Sequence, residues 1–236
     1  MFLLIDKPKG ITSHDVVDRV RKIVRDNLPL HKGFGEAKVG HAGTLDPNAT
    51  GLLIVGVGRD ATKKLGVISK GTMKTYQAEI FLGAETDTDD AEGVVISKAK
   101  GFLPPSEKEV RNTLRLFSGR QEQIPPEYSA IKIKGRKAYE LARKGVRLSL
   151  RPRKITIYSI ELVSYNYPIL KINCKVSSGT YIRALGRDIG RKLGCGAYLK
   201  NLRRTKIGEC KVGDSVKLDS LNKSNWKDFL VFSKYR

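Results

Sequence analysis

The order of apolar runs and amphipathic segments along this 236-residue chain constrains its fold more than any other feature. Helices are predicted from about His14 to Asn27, over TYIRALGRDIGRKLG (180–194), and over SEKEVRNTLRLF (106–117), which opens with the capping box Ser106 and Glu109. Helices and strands do not follow a strict strand–helix–strand order, which favours an α+β fold with a mixed, mostly antiparallel central sheet flanked by helices and loops. The predicted strands include FLLI (2–5), LLIVGV (52–57), TYQAEIFL (75–82), ITIYSIELV (155–163) and ILKINCKV (169–176).

The chain is strongly basic, with 45 Lys and Arg against 24 Asp and Glu and a formal net charge of +21. Such an excess favours a polyanionic partner, because it accelerates association with phosphates and supplies salt-dependent affinity. The basic residues concentrate in 131–154 and 183–206, within or beside which lie Tyr128, Tyr139, Tyr181 and Tyr198. Basic groups together with aromatic side chains commonly hold looped RNA, so the two clusters predict an RNA-binding protein, although each could also be a solvated helix face.

Cysteine usage and hydropathy indicate the compartment. The three cysteines are odd in number and lack a C-x-x-C spacing, so neither a disulfide framework nor a thiolate zinc site is predicted, and the three scattered histidines suggest no metal site. The apolar run at the N-terminus is too short for a signal peptide, and no run approaches membrane-spanning length. We therefore expect a cytoplasmic protein without a membrane partner, and a monomer, since no long exposed apolar seam is evident.

The stretch GHAGTLDPNATG (40–51) holds one carboxylate, Asp46, in a tightly shaped loop. Its glycines permit backbone conformations that other residues avoid, and Pro47 fixes φ directly after the acid. Such a loop can hold one side chain rigidly, although Asp46 could instead cap an ordinary Asp-Pro turn. A second segment, SSGTYIRALG (177–186), places Arg183 at the start of a helix. A buried Arg183 could pair with Asp46 and hold it ionised, which is a hypothesis that spacing alone does not prove.

The acidic turn ETDTDDAEG (85–93) invites a calcium-loop interpretation. With Asp87 at the first ligand position, Asp89 falls at the third, but Ala91 falls at the fifth and the later glutamate is missing. A polar turn, which could have a function of its own, is the better prediction.

Several segments together resemble the TruB family of tRNA pseudouridine-55 synthases. GHAGTLDPNATG closely resembles the catalytic motif of that family, and the similarity extends in the family's order from about residue 2 to 221. It implies a pseudouridine synthase fold and a tRNA T-arm stem-loop as substrate. The other matching segments are LLIDKPKGITSHDVV (the opening segment), KTYQAEIFLGAETDTDDAEG (a tyrosine-bearing strand and acidic turn), IPPEYSAIKIKGRKAYELARKG (an RNA-gripping insertion) and SSGTYIRALGRDIGRKLGCGAYLKNLRRT (the arginine motif and the helix after it).

The resemblance implies roles for individual residues. Asp46 would be the nucleophile, and Arg183 would pair with it. Tyr76 would stack on the target base, and His41 would occupy the space that the flipped uridine leaves. The other matched positions are Tyr181 and Leu202 in the substrate pocket, and Lys7, Lys63 and Asp87 near the active cleft or the RNA.

Three of these residues also have an ordinary structural explanation. Tyr76 could be a core tyrosine of an alternating strand, Leu202 could be helix packing, and Lys63 could be a solvated helix lysine. The agreement of several motifs in order is what favours the functional interpretation.

The implied chemistry requires no cofactor. Conversion of uridine to pseudouridine breaks the N1–C1′ bond, turns the base and forms a C5–C1′ bond, with no redox change. The target base must first leave its stack, which costs less in a loop than in a duplex. A carboxylate can then form a transient covalent intermediate, while an apolar and aromatic wall excludes water.

For domain organisation, we expect a catalytic domain over residues 1–221, with the RNA-gripping insertion at about 121–154, followed by a short tail over 222–236. That tail is too short for the C-terminal PUA domain that bacterial members of the family usually carry. The connection NLPLHKGFGEAK (27–38) is longer than is usual in that family, and its sequence suggests no role.

Two alternatives stay open. The first is a catalytic subunit of a guide-RNA-dependent pseudouridylation complex, against which the acidic turn and the basic insertion favour a stand-alone enzyme. The second is a non-catalytic tRNA-binding or tRNA-folding protein, which would tolerate loss of Asp46; the chain nevertheless retains both Asp46 and Arg183.

Overall fold

The computed structural model of the protein describes residues 1–25, 38–133, 135–146 and 148–231. The chain divides into two compact units. The first unit comprises Met1–Tyr76 and Leu202–Arg236, and the second comprises Gln77–Asn201. The connection 27–38, for which the sequence suggests no role, lies outside the described residues apart from its last position. The predicted domain boundary at residue 221 stays a prediction.

The described elements confirm an α+β composition. The helices are α1 (Ser13–Arg25), α2 (Arg59–Gly71), α3 (Glu107–Leu116), α4 (Ala138–Ala142) and α5 (Ile182–Lys192). The strands are β1 (Phe2–Lys7), β2 (Val39–Ala42), β3 (Thr50–Val57), β4 (Lys74–Leu82), β5 (Ala84–Thr86), β6 (Val95–Lys98), β7 (Gly119–Gln123), β8 (Lys132–Ile133), β9 (Arg136–Lys137), β10 (Arg153–Asn166), β11 (Ile169–Val176), β12 (Ala197–Ile207), β13 (Cys210–Lys211), β14 (Val216–Lys217) and β15 (Leu230–Val231).

The sheet of the first unit is built on β1 and β3. These strands pair antiparallel from Phe2 opposite Gly56 to Lys7 opposite Gly51. Beside β3 lies β12, parallel to it, and β14 lies parallel to β1. The sheet is therefore mixed, as the sequence predicts.

Both faces of this sheet are covered, which explains why FLLI and LLIVGV are continuous apolar runs rather than alternating ones. Leu3, Ile5, Leu53 and Val55 pack with α1 on one face. On the other face, Phe2, Leu4, Leu52 and Ile54 pack with Ala61, Leu65 and Ile68 of α2.

Helix α1 begins one residue earlier than predicted, and its last predicted residues, 26 and 27, lie outside the described part of the chain. Thr12 caps it. The Thr12 hydroxyl accepts from the backbone N–H of Asp15, and the Asp15 carboxylate accepts from the backbone N–H of Thr12. This reciprocal arrangement satisfies two backbone donors that the helix start leaves open. The hydroxyl of Ser13, the next residue, is thereby left for a different contact.

In the second unit, β10 pairs antiparallel with both β11 and β7. Gln123, the last residue of β7, lies opposite Arg153, the first residue of β10. The segment between them therefore leaves the sheet and returns to it at one point. It contains a hairpin (β8–β9) and a short helix (α4). The capping box of Ser106 and Glu109 at the start of α3 is also confirmed.

One local expectation was wrong. Leu202 lies on strand β12 and not in a helix, so helix packing does not explain it. Strand β12 contains the basic run KNLRRTK (200–206), within which Arg204 is the buried residue. No helix among the described residues is long and apolar enough to cross a membrane.

Candidate active site

The loop with Asp46 joins two paired strands of the first unit. β2 and β3 pair antiparallel, with His41 opposite Val55 and Ala42 opposite Ile54. The connection 43–49 therefore forms the tip of a hairpin. Asp46 is half-buried there, and its backbone carbonyl oxygen accepts from the backbone N–H of Ala49 over 3.0 Å. The predicted tight turn is present, and other parts of the unit hold it in place.

The first anchor of the loop is Ser13, at the start of α1. Its hydroxyl donates to the carbonyl oxygen of Leu45 over 3.0 Å and accepts from the backbone N–H of Leu45 over 2.8 Å. Both side chains are buried. One hydroxyl thus satisfies both backbone groups of the residue directly before Asp46, which fixes that peptide relative to the helix.

The second anchor is Lys7, whose side chain is completely buried. Its ammonium donates to the carbonyl oxygens of Pro8 at 2.9 Å, Ile11 at 2.6 Å and Pro47 at 3.0 Å. Burial lowers the pKa of Lys7 to about 8, whereas the nearby negative charge of Asp46 acts in the opposite direction. Lys7 therefore fastens the residue after Asp46 and places a positive charge near that carboxylate.

The third anchor is Arg204 of β12, with 1% of its side chain exposed. Its Nη2 donates to the carbonyl oxygen of Gly43 and its Nε to that of Leu52, each over 2.8 Å. Gly43 is the first residue of the loop 43–49, and Leu52 lies on β3 shortly after the loop ends. At Gly51 (φ +102°) a Cβ would lie 2.3 Å from the carbonyl oxygen of Arg204, so only glycine allows the two backbones to approach this closely.

The strand that leads into the loop contains His41, whose imidazole is half-buried. Burial lowers the pKa of His41, and the positive charges of Arg204 and His14 lower it further. The side-chain Nδ1 of His41 is buried without a hydrogen-bond partner among the described residues. His41 thus presents an uncharged ring on the strand that leads into the Asp46 loop.

Three further predicted site residues lie in the first unit. Tyr76 is 7% exposed on β4 and shares a strand face with Lys74. Leu202 is half-buried, and its carbonyl oxygen accepts from the Thr50 hydroxyl at the end of the loop over 3.4 Å. Lys63 is exposed on α2.

In the second unit, Arg183 of α5 is buried, and the acidic turn lies against it. Its Nη1 lies 3.2 Å from Asp90 Oδ2 and donates to the carbonyl oxygen of Thr88 over 3.1 Å. Its Nη2 donates to the carbonyl oxygen of Tyr128 over 3.1 Å. The guanidinium therefore holds the acidic turn and the first residues of the predicted insertion in one arrangement.

Arg187, one turn further along α5, repeats this pattern. It pairs with Asp89 at 2.8 Å and donates to the carbonyl oxygen of Ile124 over 2.8 Å. Burial raises the pKa of Asp89 to about 6, although the neighbouring guanidinium groups favour its ionised form. The Asp87 carboxylate accepts from the backbone N–H of Val94. The acidic turn thus pairs with arginines and caps itself, which supports the polar-turn interpretation over a calcium loop.

Gln123 fixes the start of α5, and sequence reasoning missed it. Its Nε2 donates to the carbonyl oxygen of Tyr181 over 3.0 Å, and its Oε1 accepts from the backbone N–H of Tyr181 over 2.9 Å. The Gln123 side chain is 4% exposed. This exchange sets the position from which the side chains of Tyr181 and Arg183 project.

Comparison with known proteins decides the family. Residues 31–182 match the family model described as TruB family pseudouridylate synthase (N terminal domain). Residues 183–231 match the model described as tRNA pseudouridylate synthase B C-terminal domain. The chain belongs to the TruB family.

Curated relatives in the TruB family are similar in sequence to this chain over almost its whole length. The tRNA pseudouridine synthase B of Aquifex aeolicus is 44% identical over 232 residues, covering 97% of this chain and 76% of the relative. The protein of the same name from Desulfotalea psychrophila is 47% identical over 219 residues, covering 90% of this chain and 84% of the relative.

Solved structures agree on the fold. One structure of an H/ACA RNP bound to a substrate RNA containing 2′-deoxyuridine matches with a TM-score of 0.67 and 28% identity over 96% of this chain. This chain spans 54% of the length of that one. The pseudouridine synthase fold expected from the sequence is thereby confirmed.

The structure groups some of the TruB-type residues within each unit. In the first unit it brings together Lys7 and the Asp46 loop, and in the second it places Arg183 against the turn that contains Asp87. The predicted pair of Asp46 and Arg183 takes one residue from each unit and stays a prediction. Ser13, Gln123 and Arg204 were missed, because nothing in their sequence neighbourhood indicates a partner far along the chain.

The basic insertion adds exposed cations beside an aromatic ring. Lys137 Nζ lies 5.4 Å and the Arg143 guanidinium 5.5 Å from the centre of the Tyr139 ring. Two of the basic positions counted in this cluster, Lys134 and Arg147, lie outside the described residues.

Among the described residues, no group of three or more His, Cys, Asp or Glu side chains could hold a metal ion.

Proposed function

We propose that this chain isomerises the uridine at position 55, in the T-arm loop of tRNA, to pseudouridine as a stand-alone enzyme with Asp46 as the nucleophile. Membership of the TruB family supports pseudouridine synthesis, and the name shared by the relatives supports tRNA as the substrate. The net charge of +21 supports a polyanionic substrate. We further propose that the protein acts as a monomer in the cytoplasm, the location expected for an enzyme that modifies tRNA.

The observation that carries this proposal is the set of hydrogen bonds that hold the backbone of the Asp46 loop in place. Buried side chains fix the backbone at Gly43, Leu45 and Pro47, on both sides of the acid. A nucleophile held in this way needs little reorganisation when it attacks, which is how a rigid site converts binding into rate. An Asp-Pro turn with no function would not require a completely buried lysine and an almost completely buried arginine, each costly to desolvate.

The chemistry follows from a rigid carboxylate. Asp46 forms a transient bond to the substrate, the N1–C1′ bond breaks, and the base turns within the site. C5 then bonds to C1′, and the transient bond to Asp46 breaks, which restores the carboxylate. C5 loses its proton and N1 gains one, so the composition of the RNA does not change. Tyr76 and Leu202 are proposed to supply the aromatic and apolar surface that limits access of water while the base is detached. Arg183 is proposed to orient Asp46 and keep it ionised.

Stand-alone action on the T-arm is the more specific part of the proposal. The structurally similar H/ACA RNP acts within an assembly, by its description, whereas the curated relatives of higher identity are named as tRNA enzymes. The basic insertion supports direct RNA binding, because it supplies cations beside an aromatic side chain without a second protein.

The test uses a T-arm stem-loop RNA with the target uridine, without metal or partner protein. Wild-type protein, Asp46→Asn and the matched control Asp60→Asn, an exposed acid on α2, are each incubated with it, and pseudouridine is mapped. We expect product from wild type and Asp60→Asn but none from Asp46→Asn. Absence of product from the wild type, although it binds the RNA, would refute stand-alone T-arm activity. Product from Asp46→Asn would refute the role of Asp46.

A further inference from the structure

A groove in the first unit has no role in the reaction described above. It lies between α1, β2 and α2 and has a volume of about 800 Å³. That volume is within the range of small-ligand sites. Its lining residues are His14, Val17, Arg21, Arg25, Lys38, Val39, Gly40, His41, Thr62 and Leu65.

The groove combines cations with an apolar floor. Val17, Val39 and Leu65 are buried and form the floor. Arg25 and Lys38 are exposed, and no ion pair joins either of them to another described residue. An apolar surface beside cations that have no ion-pair partner among the described residues suits a ligand with a flat ring and a negative charge, which is the composition of a nucleotide.

The other charged groups at the groove are partly compensated. Arg21 forms an ion pair with Asp18, and His14 Nε2 lies 3.7 Å from the same carboxylate. Arg21 can still offer its remaining donors to a phosphate, since a guanidinium carries five N–H groups. The net positive charge of the groove therefore rests mainly on Arg25 and Lys38.

His41 connects the groove to the Asp46 loop. It lines the groove, lies on β2, and is followed directly by the loop 43–49. Its buried Nδ1 has no hydrogen-bond partner among the described residues, so the ring retains an unused polar atom. A ligand in the groove would thus lie next to the segment that leads into Asp46.

On the basis of the proposed function, we propose that this groove binds an unpaired nucleotide of the substrate RNA that adjoins the target uridine. Its phosphates contact Arg25 and Lys38, and its base lies on the floor formed by Val17, Val39 and Leu65. The groove thereby helps to hold the loop open after the target base has left its stack.

The first experiment removes the two unpaired cations. Arg25→Ala/Lys38→Ala is compared with Lys22→Ala/Lys64→Ala, which removes the same charge from exposed positions of α1 and α2 outside the groove. Dissociation constants for the T-arm stem-loop are measured by fluorescence anisotropy at several salt concentrations, with Asp46→Asn in both backgrounds to prevent turnover. Circular dichroism verifies that the variants are folded.

We expect the groove variant to raise Kd by about tenfold and to lower the slope of log Kd against log salt by about 1.4–1.8, as for two lost phosphate contacts. The control variant should change Kd and the slope much less. Equal effects of the two double variants would overturn the proposal, because they would show a response to net charge alone.

The second experiment tests the base contact. The second set of RNAs consists of stem-loops that each contain one abasic nucleotide, at a different loop position in each RNA. Each RNA is bound to the protein with a wild-type groove and to the groove variant, both with Asp46→Asn. We expect one position beside the target uridine at which base removal weakens wild-type binding but adds little to the groove variant. If base removal weakens both proteins equally at every position, the groove does not bind a nucleotide. This binding readout is independent of turnover, so it separates failure of the groove from failure of the proposed catalysis.

Discussion

Ser13 and Leu45 exchange two hydrogen bonds, although 32 positions separate them in the chain. The hydroxyl of Ser13 replaces the partners that a strand or helix would give to the backbone of Leu45. The residue before the proposed nucleophile is therefore held by a helix start and not by its own loop. The accuracy of the site depends on the position of α1.

Ser13→Ala should lower kcat more than it weakens RNA binding. The change leaves the buried N–H and carbonyl of Leu45 without these partners, which costs about 1–3 kcal/mol of stability. It also lets the loop shift, and a misplacement of about 1 Å can lower a rate by about 100-fold. Single-turnover rates and Kd for the stem-loop RNA measure the two effects separately.

The matched control for Ser13 is Thr12→Ala, which removes the cap of the same helix. It should cost about 1 kcal/mol of stability and leave kcat nearly unchanged. If both variants lower kcat in proportion to their loss of stability, Ser13 has no specific positioning role.

Arg204→Lys should destabilise the first unit strongly. Lysine keeps the charge but lacks the planar fork that reaches the carbonyls of both Gly43 and Leu52, so at least one buried acceptor loses its partner at a cost of about 1–3 kcal/mol. Urea unfolding of Arg204→Lys and of the adjacent Arg203→Lys provides the comparison. Arg203 is partly exposed and pairs with Asp6, so its conservative change should cost less than about 1 kcal/mol. Equal losses would show that Arg204 is not a special anchor.

Gln123→Ala should reduce kcat/KM by about tenfold, the equivalent of one lost hydrogen bond of about 1.4 kcal/mol expressed in the transition state. Without the exchange with Tyr181, the start of α5 is free to shift, and the side chain of Arg183 shifts with it. Glu122→Ala, an exposed neighbour on the same strand, is the control and should retain normal kinetics. Normal kinetics for Gln123→Ala would contradict the positioning role.

The sequence predicts those features that depend on residues close together in the chain. Periodicity located α1, α3 and α5, and the motif around Asp46 indicated a fixed turn, because glycine and proline act on the backbone locally. The strand ILKINCKV was also predicted, and its apolar residues Leu170 and Ile172, which alternate with polar ones, are buried.

The anchors of the site could not be predicted in this way. A buried Arg204 looks identical in sequence to the partly exposed Arg203 beside it, and only the register of β12 on β3 separates them. Ser13 and Thr12 both have a side-chain hydroxyl, so either residue type could cap α1. The fold decides between them, because only one hydroxyl reaches Leu45. The strand that contains Leu202 was not predicted, because it is rich in lysine and arginine, which are depleted or neutral in strands. Pairing with the neighbouring strands nevertheless makes this segment a strand.

Lys74 provides a test by pH. Its ammonium donates to the carbonyl oxygens of Ser69 and Thr72, and burial, with a smaller contribution from the charge of Arg204, lowers its pKa from 10.5 to about 8. Between these two values the unfolded chain binds a proton that the folded chain does not. The free energy of unfolding therefore rises with pH through this interval. Below pH 8 both states are protonated, and the cost of the buried charge is fully present.

Lys74→Met removes this titration. The free energy of unfolding of wild type minus that of Lys74→Met should increase by about 1–2 kcal/mol between pH 7.5 and 9.5, as measured by urea unfolding at several pH values. Lys70→Met, at an exposed lysine in the last turn of α2, is measured in the same way as the control for replacing a lysine that is not buried. A flat difference for Lys74→Met would mean that the buried ammonium is stabilised by its carbonyl partners as well as it is by water.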